Sequence, residues 1–229
     1  RDGAKAAGGM MRYGIPKYRL PREVLDKEIA RIAELGVKFE LSREVTDLAA
    51  EMKEGGFDAV FLGVGASLAR RAYIPAGDAA HVLDAVTVLR SMEGEEQPLL
   101  GRRVVVYGGN TAIDVARTAK RLGAEPLVVY RRTRERAPAH QFEIEEAIEE
   151  GVHMKWLSTI AHADEGEIRI EKMKLDESGR PVPTGEFETV SADSVVLALG
   201  QETNLKFLEG IDDLQMENGS VVVDGSMMT

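Results

Sequence analysis

An α/β fold built around a parallel sheet is what this sequence predicts, and three observations carry the prediction. Val104-Val105-Val106-Tyr107 is an apolar, β-branched run; Gly108 and Gly109 follow it; and a helix pattern from Thr111 to Leu122 is stopped by Gly123. Leu127-Val128-Val129-Tyr130 then supplies a second strand. Strand, turn, helix and strand together take under thirty residues, the size of a βαβ unit with a right-handed crossover.

The remaining elements follow in order. Gly8 to Pro16 is dense in glycine and closed by proline, a loop of tight turns. Pro21 to Leu35 places Val24, Leu25, Ile29, Ile32 and Ala33 at helical spacing, with Gly36 as its stop. Val37 to Leu41 alternates like a half-buried strand, Asp47 to Lys53 is a short helix, and Ala59 to Gly65 is expected to be a buried strand running into glycines. Ala80 to Met92 is helical in pattern, and Glu93 to Gly101 is a polar connector. Beyond the βαβ unit, Phe142 to Glu150 is an acidic helix ended by Gly151, and His153 to Leu157 a strand. Ile168 to Leu175 and Glu186 to Ser191 alternate like antiparallel strands around a turn region at Asp176 to Gly185. Ser194 to Gly200 is a last buried strand.

Composition narrows the function. The 229 residues carry 29 Lys and Arg against 39 Asp and Glu, a net charge of −10, which argues against a nucleic-acid or anionic-membrane surface. With Cys 0 there is no disulfide, Cys-ligated zinc or iron–sulfur cluster within this stretch, and four scattered His give no metal site. No apolar stretch reaches the length of a membrane span and no apolar signal region opens the chain, so a cytoplasmic location is expected. Arg1 at the start and Met227-Met228-Thr229 at the end suggest a fragment.

The turn Tyr107-Gly108-Gly109-Asn110-Thr111-Ala112 lies between strand and helix, where a dinucleotide needs a backbone that turns sharply and meets the pyrophosphate at a helix N-terminus. Taken alone, it serves equally as a tight connection in any α/β sheet. Arg131 and Arg132 follow the second strand, twenty-two positions after Gly109, with Arg134 and Arg136 close behind. At that distance the Rossmann pattern carries an acid for the ribose of NAD or an arginine for the 2′-phosphate of NADP. Four arginines in six residues of an acidic chain favour the second, against a solvated charge run.

Gly8 to Pro21, Phe57 to Ala66, Tyr107 to Arg117, Tyr130 to Arg132 and Val196 to Gln201, in this order, together resemble the NADPH-dependent glutamate synthase small (beta) subunit and its oxidoreductase relatives. The resemblance implies a flavoprotein with two dinucleotide-binding domains: a Rossmann-like NAD(P)H-binding domain over 69–195, inserted in a truncated FAD-binding domain formed by 1–68 and 196–229. It implies hydride transfer from NADPH to FAD, then electron transfer to iron–sulfur clusters outside this fragment and to a glutamate synthase large subunit or another electron-accepting subunit. By position, Gly8, Gly9, Met10, Arg12 and Gly14 match the loop along FAD. Gly63, Gly65 and Ala66 match the strand end where the chain enters the NADPH domain, and Gly200 and Gln201 its return. Gly108, Gly109, Asn110, Thr111 and Ala112 match the pyrophosphate turn, and Arg131, Arg132 and Arg136 the 2′-phosphate clamp. No catalytic side chain is expected, because the cofactors carry the chemistry. The relatives have three glycines before the Asn, so here either Tyr107 takes the first turn position or the turn is one residue shorter. A related ferredoxin-coupled or electron-bifurcating NADPH oxidoreductase subunit shares every motif, and a non-catalytic nucleotide-binding module shares the fold. The FAD motifs expected outside this stretch imply that the isolated fragment is inactive.

Overall fold

The computed structural model describes residues 1–70, 74–75, 81–93, 97–211 and 214–229. In chain order the helices are α1 (Gly9–Tyr13), α2 (Arg22–Glu34), α3 (Leu48–Gly55), α4 (Ala85–Ser91), α5 (Asn110–Arg121) and α6 (Gln141–Glu149). The strands are β1 (Leu68–Ala69), β2 (Val82–Asp84), β3 (Arg103–Gly108), β4 (Glu125–Val129), β5 (His153–Lys155), β6 (Ser158–Asp164), β7 (Glu167–Leu175), β8 (Pro181–Ser191), β9 (Ser194–Ala198), β10 (Gln201–Glu202), β11 (Met216–Glu217) and β12 (Ser220–Val221). The chain divides into two units: a smaller one of Arg1–Arg12, Lys17–Leu68 and Gln201–Thr229, and a larger one of Tyr13–Pro16 and Ala69–Gly200.

The larger unit is a five-stranded sheet in the order β2-β9-β3-β4-β5, with every pairing parallel. Parallel strands are buried on both faces, which is why β3 and β9 read as uninterrupted apolar runs. Val104, Val105, Val106, Val195 and Val196 are all 0–2% exposed. On one face α5 lays Ala112, Val115, Ala116 and Ala119 against the sheet, and these small side chains let the helix approach closely. On the other face β6, β7 and β8 form an antiparallel sheet whose Ile160, Ala163, Ile168 and Ile170 pack on Val105, Tyr107, Val129 and Val195. The predicted α/β architecture is therefore present, with the meander added on one side.

Several expected boundaries move. The helix expected from Ala80 starts at Ala85, with the Asp84 carboxylate capping it by a 2.8 Å bond from the Thr87 amide, and Val82–Asp84 is a strand. Ala80 itself lies outside the described residues, as does part of the Glu93 to Gly101 connector. β6 is an element that the sequence reading omits. β8 begins at Pro181 rather than Glu186, so the hairpin turn shrinks to Asp176–Arg180. Proline is tolerated there because β8 is an edge strand.

The smaller unit overturns two strand expectations. Val37 to Leu41 is irregular and exposed: instead of a ladder, the Glu40 carbonyl accepts from the Asp2 amide and, just beyond the stretch, the Ser42 amide donates to the Ala4 carbonyl, both at 2.9 Å. Ala59 to Gly65 is not a buried strand either, with Val60, Phe61 and Val64 respectively 40%, 92% and 47% exposed. Among the described residues no strand pairs with it, and an apolar run without a neighbour's N–H and C=O groups has no ladder to join. Gly63, Gly65 and Ala66 consequently do not stand at a strand end.

Within the larger unit, Asp193 ties the entrance of β9 to that of β3. Its carboxylate accepts from the Arg103 guanidinium and from the Arg103 and Arg102 amides, each at 2.8 Å. The Arg103 side-chain bond first, then those amides, hold its pKa down at about 2. A carboxyl depressed in the folded state stabilises it above the unfolded pKa and loses that contribution as pH falls through the folded value. The melting temperature of the native protein is therefore expected to drop between pH 4 and pH 2 more steeply than that of Asp193→Asn. Parallel slopes in thermal melts would contradict this.

Candidate functional site

β3 ends on Gly108 beside the end of β9, at the point where the chain's next strand, β4, lies on the opposite side of β3. Such a switch in strand order opens a crevice at the carboxyl ends of a parallel sheet. Gly108 is dictated by β9: an added Cβ would overlap the carbonyl oxygen of Ala198. Gly109 is dictated by a loop, since its Cβ would stand 2.6 Å from Cγ of Pro138. Tyr107 is a strand residue paired with Val129 and Leu197, its hydroxyl 2.7 Å from Thr159 Oγ1 in the meander, so the turn is the shorter form Gly108-Gly109-Asn110.

Helix α5 starts from this turn with Gly109 as its N-cap, no side-chain capping bond and no acidic residue in the first turn. Both α3 and α4 are capped differently, by Asp47 and Asp84 carboxylates at 2.9 and 2.8 Å. A first turn left uncapped keeps amide donors and the positive end of the helix dipole for an anion. Asn110 is exposed and Thr111 half-buried, while Ala112 packs its methyl into the core and offers the turn only its backbone.

The arginines lie on a loop that is pinned at both ends and touches this turn through Tyr130 and Pro138. Ser158 donates to the Tyr130 carbonyl and Leu157 to the Arg132 carbonyl, both at 3.0 Å. The Tyr130 hydroxyl donates to the Arg136 carbonyl at 3.0 Å while its ring meets Trp156 edge-on. Pro138 then closes over Gly109. Arg134 is spent on α6, donating to Gln141 and pairing with Glu145 at 3.1 Å. Among the described residues Arg131, Arg132 and Arg136 form no ion pair. The loop that carries the arginines thus meets the turn through Tyr130 and Pro138, and Pro138 is a residue that sequence reasoning passes over. A proline shortly after a basic run, read as a loop clamp, was the available signal.

The residues matched to the FAD loop are held differently. Gly8, at φ +121, accepts from the Met11 and Arg12 amides, and a Cβ there would lie 2.9 Å from Leu25. Arg12 donates to the Ala7 carbonyl and pairs with Asp26, while Met10 is exposed. Gly9 and Gly14 lie in the same stretch, in the smaller and larger unit respectively. Gly200, at φ +95, accepts from Arg70 at 3.0 Å at the end of the larger unit, and Gln201 opens the returning segment. None of these residues is among those that touch the β3–α5 turn; Gly200 lies two residues beyond Ala198, the β9 residue paired with Gly108.

Comparison with known proteins matches residues 9–229 to the profile of the pyridine nucleotide-disulphide oxidoreductase family. The chain is 38% identical, over 95% of its length, to the NADP(+)-dependent formate dehydrogenase subunit beta of Moorella thermoacetica, covering 33% of that protein. It is 37% identical, over 90%, to the NADPH-Fe(3+) oxidoreductase subunit beta of Geobacter sulfurreducens, covering 34%. With the glutamate synthase [NADPH] small chain of Escherichia coli it shares 32% identity over 87% of its length and 50% of that protein. The chain thus spans a third to a half of these relatives. Among solved structures, Mycobacterium tuberculosis FprA in complex with NADPH superimposes with a TM-score of 0.74 at 20% identity, over 97% of this chain and 67% of that one, a likeness of fold.

Overpacking at a rigid strand end costs about 1–3 kcal/mol. Gly108→Ala is therefore expected to lower the unfolding free energy by about that much, measured by urea denaturation; an unchanged midpoint would mean that β9 moves aside freely.

Proposed function

The chain belongs to the pyridine nucleotide-disulphide oxidoreductase family, and from that premise we propose that its larger unit binds NADPH for an FAD-dependent oxidoreductase. One observation carries the reading: an uncapped helix N-terminus on a two-glycine turn, with three arginines that form no ion pair among the described residues on the loop that closes over it. The cradle fits the pyrophosphate of a dinucleotide, since the turn leaves no room for a side chain and supplies unused amides. In this reading Gly108, Gly109, Asn110, Thr111 and Ala112 receive the pyrophosphate, and Arg131, Arg132 and Arg136 receive the 2′-phosphate.

With both dinucleotides bound, the chemistry they supply is hydride transfer from nicotinamide to flavin. The chain's own residues bind and orient. Gly8, Gly9, Met10, Arg12 and Gly14 belong to the FAD side in this proposal, as do Gly63, Gly65, Ala66, Gly200 and Gln201 near the two crossings. In the described residues of the smaller unit there is a glycine loop but no strand–glycine–helix cradle comparable to β3–α5. The FAD contribution proposed for this stretch is accordingly limited to a loop.

Electrons would pass on to iron–sulfur centres, which in a chain with no cysteine lie outside it, and to a partner subunit. The relatives named as beta subunits or small chains support a partner. A glutamate synthase large subunit is one; the higher identity to the formate dehydrogenase and Fe(3+) oxidoreductase beta subunits favours, as a second reading, an electron-accepting subunit of that kind. No helix among the described residues is long and apolar enough to cross a membrane.

Hydrogen bonds to charged groups contribute roughly 1.5–3 kcal/mol each, so two arginine contacts favour NADPH over NADH by about two to four orders of magnitude. Calorimetric titration of the full-length protein at one fixed ionic strength is expected to show that preference. Arg131→Ala with Arg132→Ala should remove most of it while sparing NADH. Equal affinity of the unsubstituted protein for both nucleotides would sink the proposal.

A further inference from the structure

We infer that the tip of the β7–β8 hairpin is a specificity element of the nucleotide site, with Gly179 a positioning residue that aims Arg136; this rests on the NADPH reading above. The meander is an addition to the parallel sheet, and its hairpin reaches back to the arginine loop. A Cβ on Gly179 would lie 2.8 Å from Nη2 of Arg136 and 3.2 Å from both Cζ and Nη1. Three atoms of one guanidinium therefore stand where a side chain on residue 179 would begin.

That tip is rigid. The Asp176 carboxylate accepts from the Ser178 amide, the Ser178 hydroxyl and the Arg180 amide at 2.7–2.9 Å. Two backbone bonds of 2.9 Å, Asp176 to Arg180 and Gly179 to Asp176, close it further. Gly179 sits at φ +74, a conformation that glycine adopts at no steric cost. One side of the guanidinium thus faces Gly179, which presents no side chain, and among the described residues its donors have no carboxylate partner. Arg136 contrasts with Arg134, whose donors are taken by Gln141 and Glu145. A close neighbour without a side chain restricts the orientation of a planar cation while leaving its donor fork for an oxyanion. The backbone of Arg136 is fixed independently, through Tyr130. The ligand group that such an arginine selects is a phosphate monoester, the feature distinguishing the phosphorylated dinucleotide.

Gly179→Asp tests this, because aspartate accepts the left-handed conformation comparatively well and would set a carboxylate against the guanidinium. In the full-length protein it is expected to weaken NADPH binding about tenfold or more, as an internal charge-assisted pair competes with the phosphate, and to leave NADH binding unchanged. Gly179→Asn, which displaces the guanidinium as Asp does but offers it no charge, should weaken NADPH less than Gly179→Asp and still more than it weakens NADH. In an Arg136→Ala background Gly179→Asp should have no further effect on NADPH. An unchanged NADPH-to-NADH ratio in Gly179→Asp overturns the inference, as does an equal weakening of both nucleotides, which would mark a merely structural turn. If Arg131→Ala and Arg132→Ala abolish the preference while Gly179→Asp keeps it, the NADPH reading survives and the hairpin's role falls. If the unsubstituted protein shows no preference, both fall.

Discussion

The arrangement of the larger unit depends on the close approach of two parallel strand ends. β3 and β9 run side by side with no residue exposed in their central valines, and at the carboxyl edge the carbonyl of Ala198 occupies the space where a side chain on residue 108 would be. Glycine is the one residue that allows the chain to leave β3 there and start α5 at once. The small-residue face of α5 then decides how near the helix lies to the sheet. The orientation of its uncapped first turn is consequently a by-product of core packing, which makes it rigid before any ligand arrives. Preorganised donors of this sort bind an anion without ordering cost at the moment of binding.

Where the sequence was legible, each element's burial was a local property. β3, α5, β4 and β9 are buried on both faces or present small residues toward the sheet, so apolar runs and glycine stops sufficed to find them. β6 escaped because Ser158 and Ala163 are buried among polar neighbours and a bulge between Ile160 and His162 breaks the period of two. Pro181 and Pro183 read as turn residues although an edge strand accommodates them. The opposite error, at Val37 to Leu41 and Ala59 to Gly65, has one cause: a strand exists only with a partner, and a partner's proximity is not encoded in the run itself.

The candidate site shows the same division. Its glycines and arginines stood out as residue types at a recognisable spacing. The residues that set their geometry did not: Tyr130 works through a hydroxyl reaching six residues ahead, Pro138 through a ring placed on Gly109, and Gly179 through having no side chain at all, forty-three positions beyond Arg136. Supporting residues of this kind bear no chemistry of their own, and only the folded backbone reveals what they touch.

An acidic chain raises one last question, how a basic cluster stays available. With 39 Asp and Glu against 29 Lys and Arg, neutralisation of every surface arginine would be easy. The fold instead sorts them. Arg117 and Arg121 on α5 share Glu150, with Glu146 also on Arg117, and Arg102 is matched to Glu125. Arg134 takes Glu145, and Glu143 at the start of α6 accepts from the His140 amide. Among the described residues Arg131, Arg132 and Arg136 form no ion pair, and Glu135, the carboxylate on the same loop, is held by its own amide and the Thr133 side chain and interacts with Arg134. Because attraction between exposed charges falls off within about 8–10 Å at ordinary salt, the acids elsewhere hardly weaken this local field. In the proposed reading, a phosphate arriving at the loop meets arginines that form no ion pair among the described residues, on a stretch whose net charge of −10 would otherwise repel it.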